Sequence, residues 1–127
     1  MKKEIDSDKA FIRLNNVAKY YEMGESVVKA VDGVSIDIKR GDFVAVMGPS
    51  GSGKSTAMNL VGSLDMPTKG HIFLDGEDIS SLNESELAQV RGKNIGFIFQ
   101  QFNLIPTLTV FENVVLPMAL QGVPQYE

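Results

Sequence analysis

One stretch limits this chain more than any other: Gly48-Pro49-Ser50-Gly51-Ser52-Gly53-Lys54-Ser55-Thr56. It fits G-x-x-x-x-G-K-[ST], the spacing of a loop that winds backbone around phosphate. Gly51 and Gly53 can take positive φ, which side chains resist. The N–H groups then turn inward and form an anion-binding nest, and Pro49, Ser50, Ser52 and Thr56 complete the candidate nucleotide-binding stretch. Lys54 adds a mobile positive charge for terminal phosphates, and the Ser55 hydroxyl is a candidate Mg²⁺ ligand. A helix starting here would turn the positive end of its dipole toward the same anion.

Such a motif carries meaning only between a strand and a helix, and both flanks comply. Phe43-Val44-Ala45-Val46-Met47 is a short apolar run rich in β-formers, as a buried parallel strand requires. Beyond the loop, Ala57, Leu60, Val61 and Leu64 recur at i, i+3, i+4 and i+7, the buried stripe of a helix.

The 127 residues suffice for about one small domain. Sixteen acidic against twelve basic residues give a net charge of −4, which argues against a general nucleic-acid binder. With no cysteine there is no disulfide framework and no thiolate metal site. Met1-Lys2-Lys3-Glu4-Ile5-Asp6 lacks the apolar core of a signal peptide, and residues 1–10 read as a flexible N-terminus. Apolar runs such as Phe43–Met47 are far shorter than the ~20 residues needed to span a bilayer. A soluble chain is therefore expected, with any membrane role reached through a partner and without direct insertion.

Taken in order, Phe11 to Val17 alternates as a half-buried strand, and Gly24 marks a turn. Val27 to Val31 and Val34 to Ile38 read as two further strands. After the helix, which is expected to end near Gly62-Ser63-Leu64, His71-Ile72-Phe73-Leu74 is a strand and Asp75-Gly76 a turn. Asn83 with Glu86, and Thr109 with Glu112, are capping pairs that open two helices. Leu87 and Val90 share a face of the first, where Arg91 suits the C-terminal end and Gly92 is expected to stop it. Ile95-Gly96-Phe97-Ile98-Phe99 is another apolar strand. Val110, Phe111, Val114 and Val115 stripe the second helix, which Pro117 is expected to kink or end.

These segments together resemble the ATP-binding subunits of ABC transporters, of the macrolide-export and lipoprotein-releasing type, from about Ile12 to Leu120. Beyond the phosphate loop, Phe97-Ile98-Phe99-Gln100-Gln101-Phe102-Asn103-Leu104 resembles that family's Q-loop. Leu108-Thr109-Val110-Phe111-Glu112-Asn113-Val114 resembles the segment that follows it. Leu64-Asp65-Met66-Pro67-Thr68-Lys69-Gly70, followed by Asp75-Gly76, resembles part of its antiparallel subdomain. The resemblance implies an α/β fold: a P-loop NTPase core with an antiparallel β subdomain, here over residues 11–127 and truncated before the helical subdomain is complete. It implies ATP and Mg²⁺ as ligands, a transmembrane permease subunit and a second ATP-binding subunit as partners, and a place at the inner face of the cell membrane.

Roles follow residue by residue. Gln100 resembles the glutamine that ligates Mg²⁺ and senses the membrane subunit; an amide oxygen is a plausible hard ligand. Tyr21 resembles the aromatic that stacks on adenine, because Lys19-x-Tyr21 is the family spacing. Tyr20 is its adjacent competitor, pointing to the other face of an extended segment. Ile72-Phe73-Leu74-Asp75 superficially resembles a Mg²⁺-anchoring strand end, but Asp-Gly is a strong turn signal, so Asp75 is read as a hairpin residue. His71, the only histidine, receives no role. A P-loop kinase or GTPase is disfavoured, since the guanine-reading Asn-Lys-x-Asp is absent.

The family's complete domain also carries a Leu-Ser-Gly-Gly-Gln signature, a Walker B Asp with a catalytic Glu, a D-loop and a switch His. None occurs in these residues. Lys54 can stabilise phosphate charge, but the base that orients the nucleophile is missing. Two readings follow. The chain is the ATP-hydrolysing subunit of a transporter in part, or it is a non-catalytic nucleotide-binding fragment.

Overall fold

The computed structural model describes residues 9–124. Of the expected flexible N-terminus, residues 1–8 lie outside the described residues. The described chain folds around one antiparallel hairpin, β1 (Ala10–Met23) and β2 (Ser26–Lys39). The hairpin is long because alternation and β-branched residues persist on both sides of the Gly24 turn. The two strands expected within residues 27–38 are a single strand. Gly33, at φ 74°, faces the irregular stretch of β1 around Asn16 (φ 49°), and Asn16 N–H donates to Ser35 Oγ at 2.9 Å. A glycine at positive φ makes a bulge here where a break was expected.

β3 (Lys69–Leu74) pairs with the other edge of β1, with Leu14 opposite Ile72, and the two-residue β4 (Glu77–Asp78) completes the order β2-β1-β3-β4. Asp75 and Gly76 both have positive φ, 50° and 85°, as a two-residue turn between right-twisted strands demands. Asp75 is thus a hairpin residue. Its carboxylate pairs with Arg40 at 3.3 Å.

Helix α1 (Lys54–Val61) lays its stripe on this sheet. Leu60 is fully buried among Leu14, Val17, Val31 and Ile72, with Ala57 and Val61 packed beside it. Leu64, expected on the buried stripe, falls beyond the helix and is 39% exposed. Helix α2 (Glu84–Asn94) opens with the expected capping box between Asn83 and Glu86 and buries Leu87 in the same core. Gly92 does not stop it. Gly92 avoids positive φ, and the helix runs on to Asn94, whose amide donates to Val90 O. Arg91 donates to Ser63 O at 2.9 Å, tying the end of α2 to the end of α1.

Two expected strands are not formed. Residues 43–47 and 95–99 find no ladder partner among the described residues, and Phe43 and Ile98 are fully exposed. The physical reason is pairing: a strand needs a neighbour, and every described ladder is antiparallel and taken up by β1 to β4. The second run is partly docked even so, because Phe97 covers Gly62, where an added Cβ would lie 2.0 Å from the ring.

Helix α3 (Val110–Leu120) opens with the Thr109–Glu112 capping box. Pro117 does not end it, because the ring removes one intrahelical bond only a turn before the helix closes. The loop before α3 is fastened by the Asn113 side chain, which accepts from Ile105 N–H and donates to the carbonyls of Ile105, Leu108 and Thr109.

Candidate functional site

The loop from Gly48 to Gly53 closes on itself through Ser52 N–H to Pro49 O at 3.2 Å. Gly51 and Gly53 take positive φ, 78° and 89°, as the spacing predicts. Gly53 is the N-cap of α1 and offers no side-chain acceptor to its first turn. The first intrahelical bond is Ala57 N–H to Gly53 O at 2.9 Å, which leaves the amides of Lys54, Ser55 and Thr56 open to an anion at the helix start. Ser55 is exposed at this turn, so its hydroxyl is accessible.

Lys54 folds back across the loop. Its ammonium donates to Gly48 O and Pro49 O, both at 2.6 Å, and stands 3.4 Å from Ser52 Oγ. The positive charge is therefore held over the same loop that presents the amides. Gly48 leaves the room this requires, since a Cβ there would meet Ser52 Oγ at 2.6 Å. Gly53 rests directly on the hairpin: a Cβ at this position would lie 2.1 Å from Ala30 O of β2.

That contact relates the loop to the aromatic candidate. Tyr21 of β1 stands opposite Val28, two residues before Ala30, or roughly 7 Å along the strand. Tyr21 is 38% exposed, and its hydroxyl donates to Asp65 Oδ2 at 3.1 Å. Lys19 stands over the Tyr21 ring, 5.3 Å from its centroid, and pairs with Asp65 Oδ1 at 2.7 Å. Burial works to raise the Asp65 pKa, but the bonds from Lys19 and the Met66 N–H outweigh it and hold the carboxyl below its usual range. Tyr20 is committed elsewhere. Its hydroxyl donates to Asp32, with the Lys29 and Lys69 ammoniums 5.3 and 5.5 Å from its ring. The Asp32 bond raises the Tyr20 pKa.

Gln100 is not joined to this site. It lies exposed on a bend, and no hydrogen bond links its side chain to Lys54, Ser55 or any other described residue. Sequence reasoning passed over Asp65 as a ligand of the aromatic. Its partners lie 44 and 46 positions away, and no local pattern signals such a pairing.

The family profile described as ABC transporter matches residues 31–126. An ABC transporter ATP-binding protein of Methanocaldococcus jannaschii, MJ0796, is 52% identical over 107 residues, covering 84% of this chain and 46% of that protein. The macrolide export ATP-binding/permease protein MacB of Brucella abortus is 51% identical over 116 residues, covering 91% of this chain and 18% of that protein. Among solved structures, dimeric MJ0796 superposes with a TM-score of 0.86 at 48% identity, covering 91% of this chain and 50% of that one. A post-hydrolysis MJ0796 dimer bound to ADP and Pi gives 0.83 at 50% identity, covering 87% and 47%. The chain belongs to the ABC transporter family, and its fold is that of part of an ATP-binding cassette. It spans about half the length of MJ0796 and a smaller share of the MacB fusion.

Proposed function

We propose that this chain binds ATP·Mg²⁺ as the ATP-binding subunit of an ABC transporter, and that the complete protein hydrolyses ATP to drive a membrane permease. The observation that carries this is the loop itself: a left-handed Gly53 cap leaves three amides open at the start of α1, and the Lys54 ammonium is held on the Gly48 and Pro49 carbonyls of the same loop. Lys54 neutralises the terminal phosphates, the open amides of α1 bind their oxygens, and the Tyr21 ring stacks on the base.

Magnesium fits the donor set. No group of three His, Asp or Glu among the described residues could enclose a metal. Mg²⁺, however, is commonly held by one or two protein oxygens together with substrate phosphates and water, and the exposed Ser55 hydroxyl is such a ligand. Gln100 joins as a second ligand when its loop closes, which couples nucleotide occupancy to the partner. Among the described residues no helix is long and apolar enough to cross a membrane. The permease is accordingly a separate or fused element that places this subunit at the inner membrane face. The two solved MJ0796 structures, both dimeric, support pairing with a second ATP-binding subunit.

The test is Lys54→Ala in the full-length subunit. Loss of charged hydrogen bonds of ~1.5–3 kcal/mol is expected to weaken ATP·Mg²⁺ binding about 10- to 100-fold in equilibrium titration. Unchanged affinity and turnover would sink the assignment. Gln100→Ala is expected to spare most of the binding and to reduce permease-stimulated hydrolysis. Equal stimulation in both forms would remove the coupling role.

A further inference from the structure

We infer that Asp65 is a positioning residue for the Tyr21 ring: its carboxylate fixes the stacking platform relative to the phosphate loop and so governs the part of the affinity that depends on the base. The inference rests on the proposed stacking of Tyr21 and names the residue that makes that stacking effective.

Asp65 follows directly on the turn that ends α1, and the phosphate loop begins that helix. The two sites sit at opposite ends of eight helical residues, about 12 Å of rigid rod. From its end Asp65 grips the platform twice. One oxygen accepts the Tyr21 hydroxyl at 3.1 Å; the other accepts the Lys19 ammonium at 2.7 Å. That ammonium also donates to Met66 O at 2.8 Å and stands over the ring. The edge of the ring is thereby pinned, one face is covered by a cation, and the other remains for a base. The Lys19 and Asp65 side chains are only 15% and 31% exposed, so the pair is partly shielded from solvent.

A purely structural role is covered by other bonds. The loop holding Asp65 is already fastened to β1 by Thr68 N–H to Ala18 O at 2.8 Å and by Tyr20 N–H to Thr68 Oγ1 at 3.0 Å. The attachment of the loop does not depend on the Tyr21 hydroxyl alone. The grip on that hydroxyl sets where the ring stands with respect to α1.

The experiment titrates the full-length subunit with ATP·Mg²⁺ and with magnesium tripolyphosphate, which has no base. Asp65→Ala is expected to weaken ATP binding about five- to tenfold, the scale of one aromatic stack, and to leave tripolyphosphate unchanged. Tyr21→Phe, which keeps Asp65 but removes the hydroxyl, is expected to show a smaller loss of the same kind. In a Tyr21→Ala background, Asp65→Ala is expected to add nothing. Equal losses for both ligands, or an Asp65 effect undiminished without Tyr21, would overturn the inference. So would unchanged ATP binding in Asp65→Ala while Tyr21→Ala weakens it, an outcome that leaves stacking itself intact. If Tyr21→Ala shows no base-dependent loss, the stacking proposal fails and the positioning role fails with it.

Discussion

The β1–β2 hairpin and the apolar runs at 43–47 and 95–99 are written in the same residues, valines, isoleucines and phenylalanines, yet only the hairpin forms a sheet. The difference is the supply of partners. β1 meets β2 after two residues, so pairing closes a short loop at little entropic cost. A run of the parallel type needs a neighbour delivered by a crossover of a dozen or more residues. Propensity thus marks a segment as able to be a strand, and topology decides whether it is one. The burial follows: Val17 and Ile72 are sealed, while Phe43 and Ile98 stand fully exposed.

This contrast can be broken by substitution. The largest effect is expected at Leu60, where α1 is buried against the hairpin. Leu60→Ala is expected to cost about 2–5 kcal/mol in urea unfolding, and a loss below ~1 kcal/mol would mean that helix and sheet are not one cooperative unit. Gly53→Ala comes next. It forces a side chain into positive φ and against Ala30 O, so a loss of about 1–3 kcal/mol is expected, together with weaker nucleotide binding. Wild-type stability and affinity would show that the loop does not rest on β2. The smallest effect is expected for Ile98→Ser, within ~0.5 kcal/mol in the 127-residue chain, because nothing covers this side chain. A cost above 2 kcal/mol would place Ile98 in a core and erase the contrast.

The same contrast explains what could be read from the residues alone. The phosphate loop was legible because its chemistry is local: fixed glycines, one lysine and one required hydroxyl in eight positions. Both capping boxes were legible for the same reason, since each is closed within three residues. The Asp75-Gly76 turn falls in the same class. Gly92 does not end α2 because a helical glycine costs only about 1 kcal/mol, which the surrounding helix absorbs; of the two outcomes expected at Pro117, an end to α3 is not found, since the helix runs on to Leu120. The join of residues 27–38 into one strand depends on Asn16, a residue of the facing strand. Tyr21 was legible as an aromatic at a family spacing, whereas the grip of Asp65 on it exists only after folding. Gln100 was legible as a motif and remains outside the bonded site.

The hairpin tip at Gly24–Glu25 lies just beyond Tyr21, in open space, with exposed Met23 beside it. Exposed turns of this kind accept inserted residues with little penalty. A fluorophore attached there would stand one short step from the aromatic ring and outside the packed core. The fold thus offers a natural mounting point for an optical reporter of nucleotide arrival, on the same strand that carries the ring.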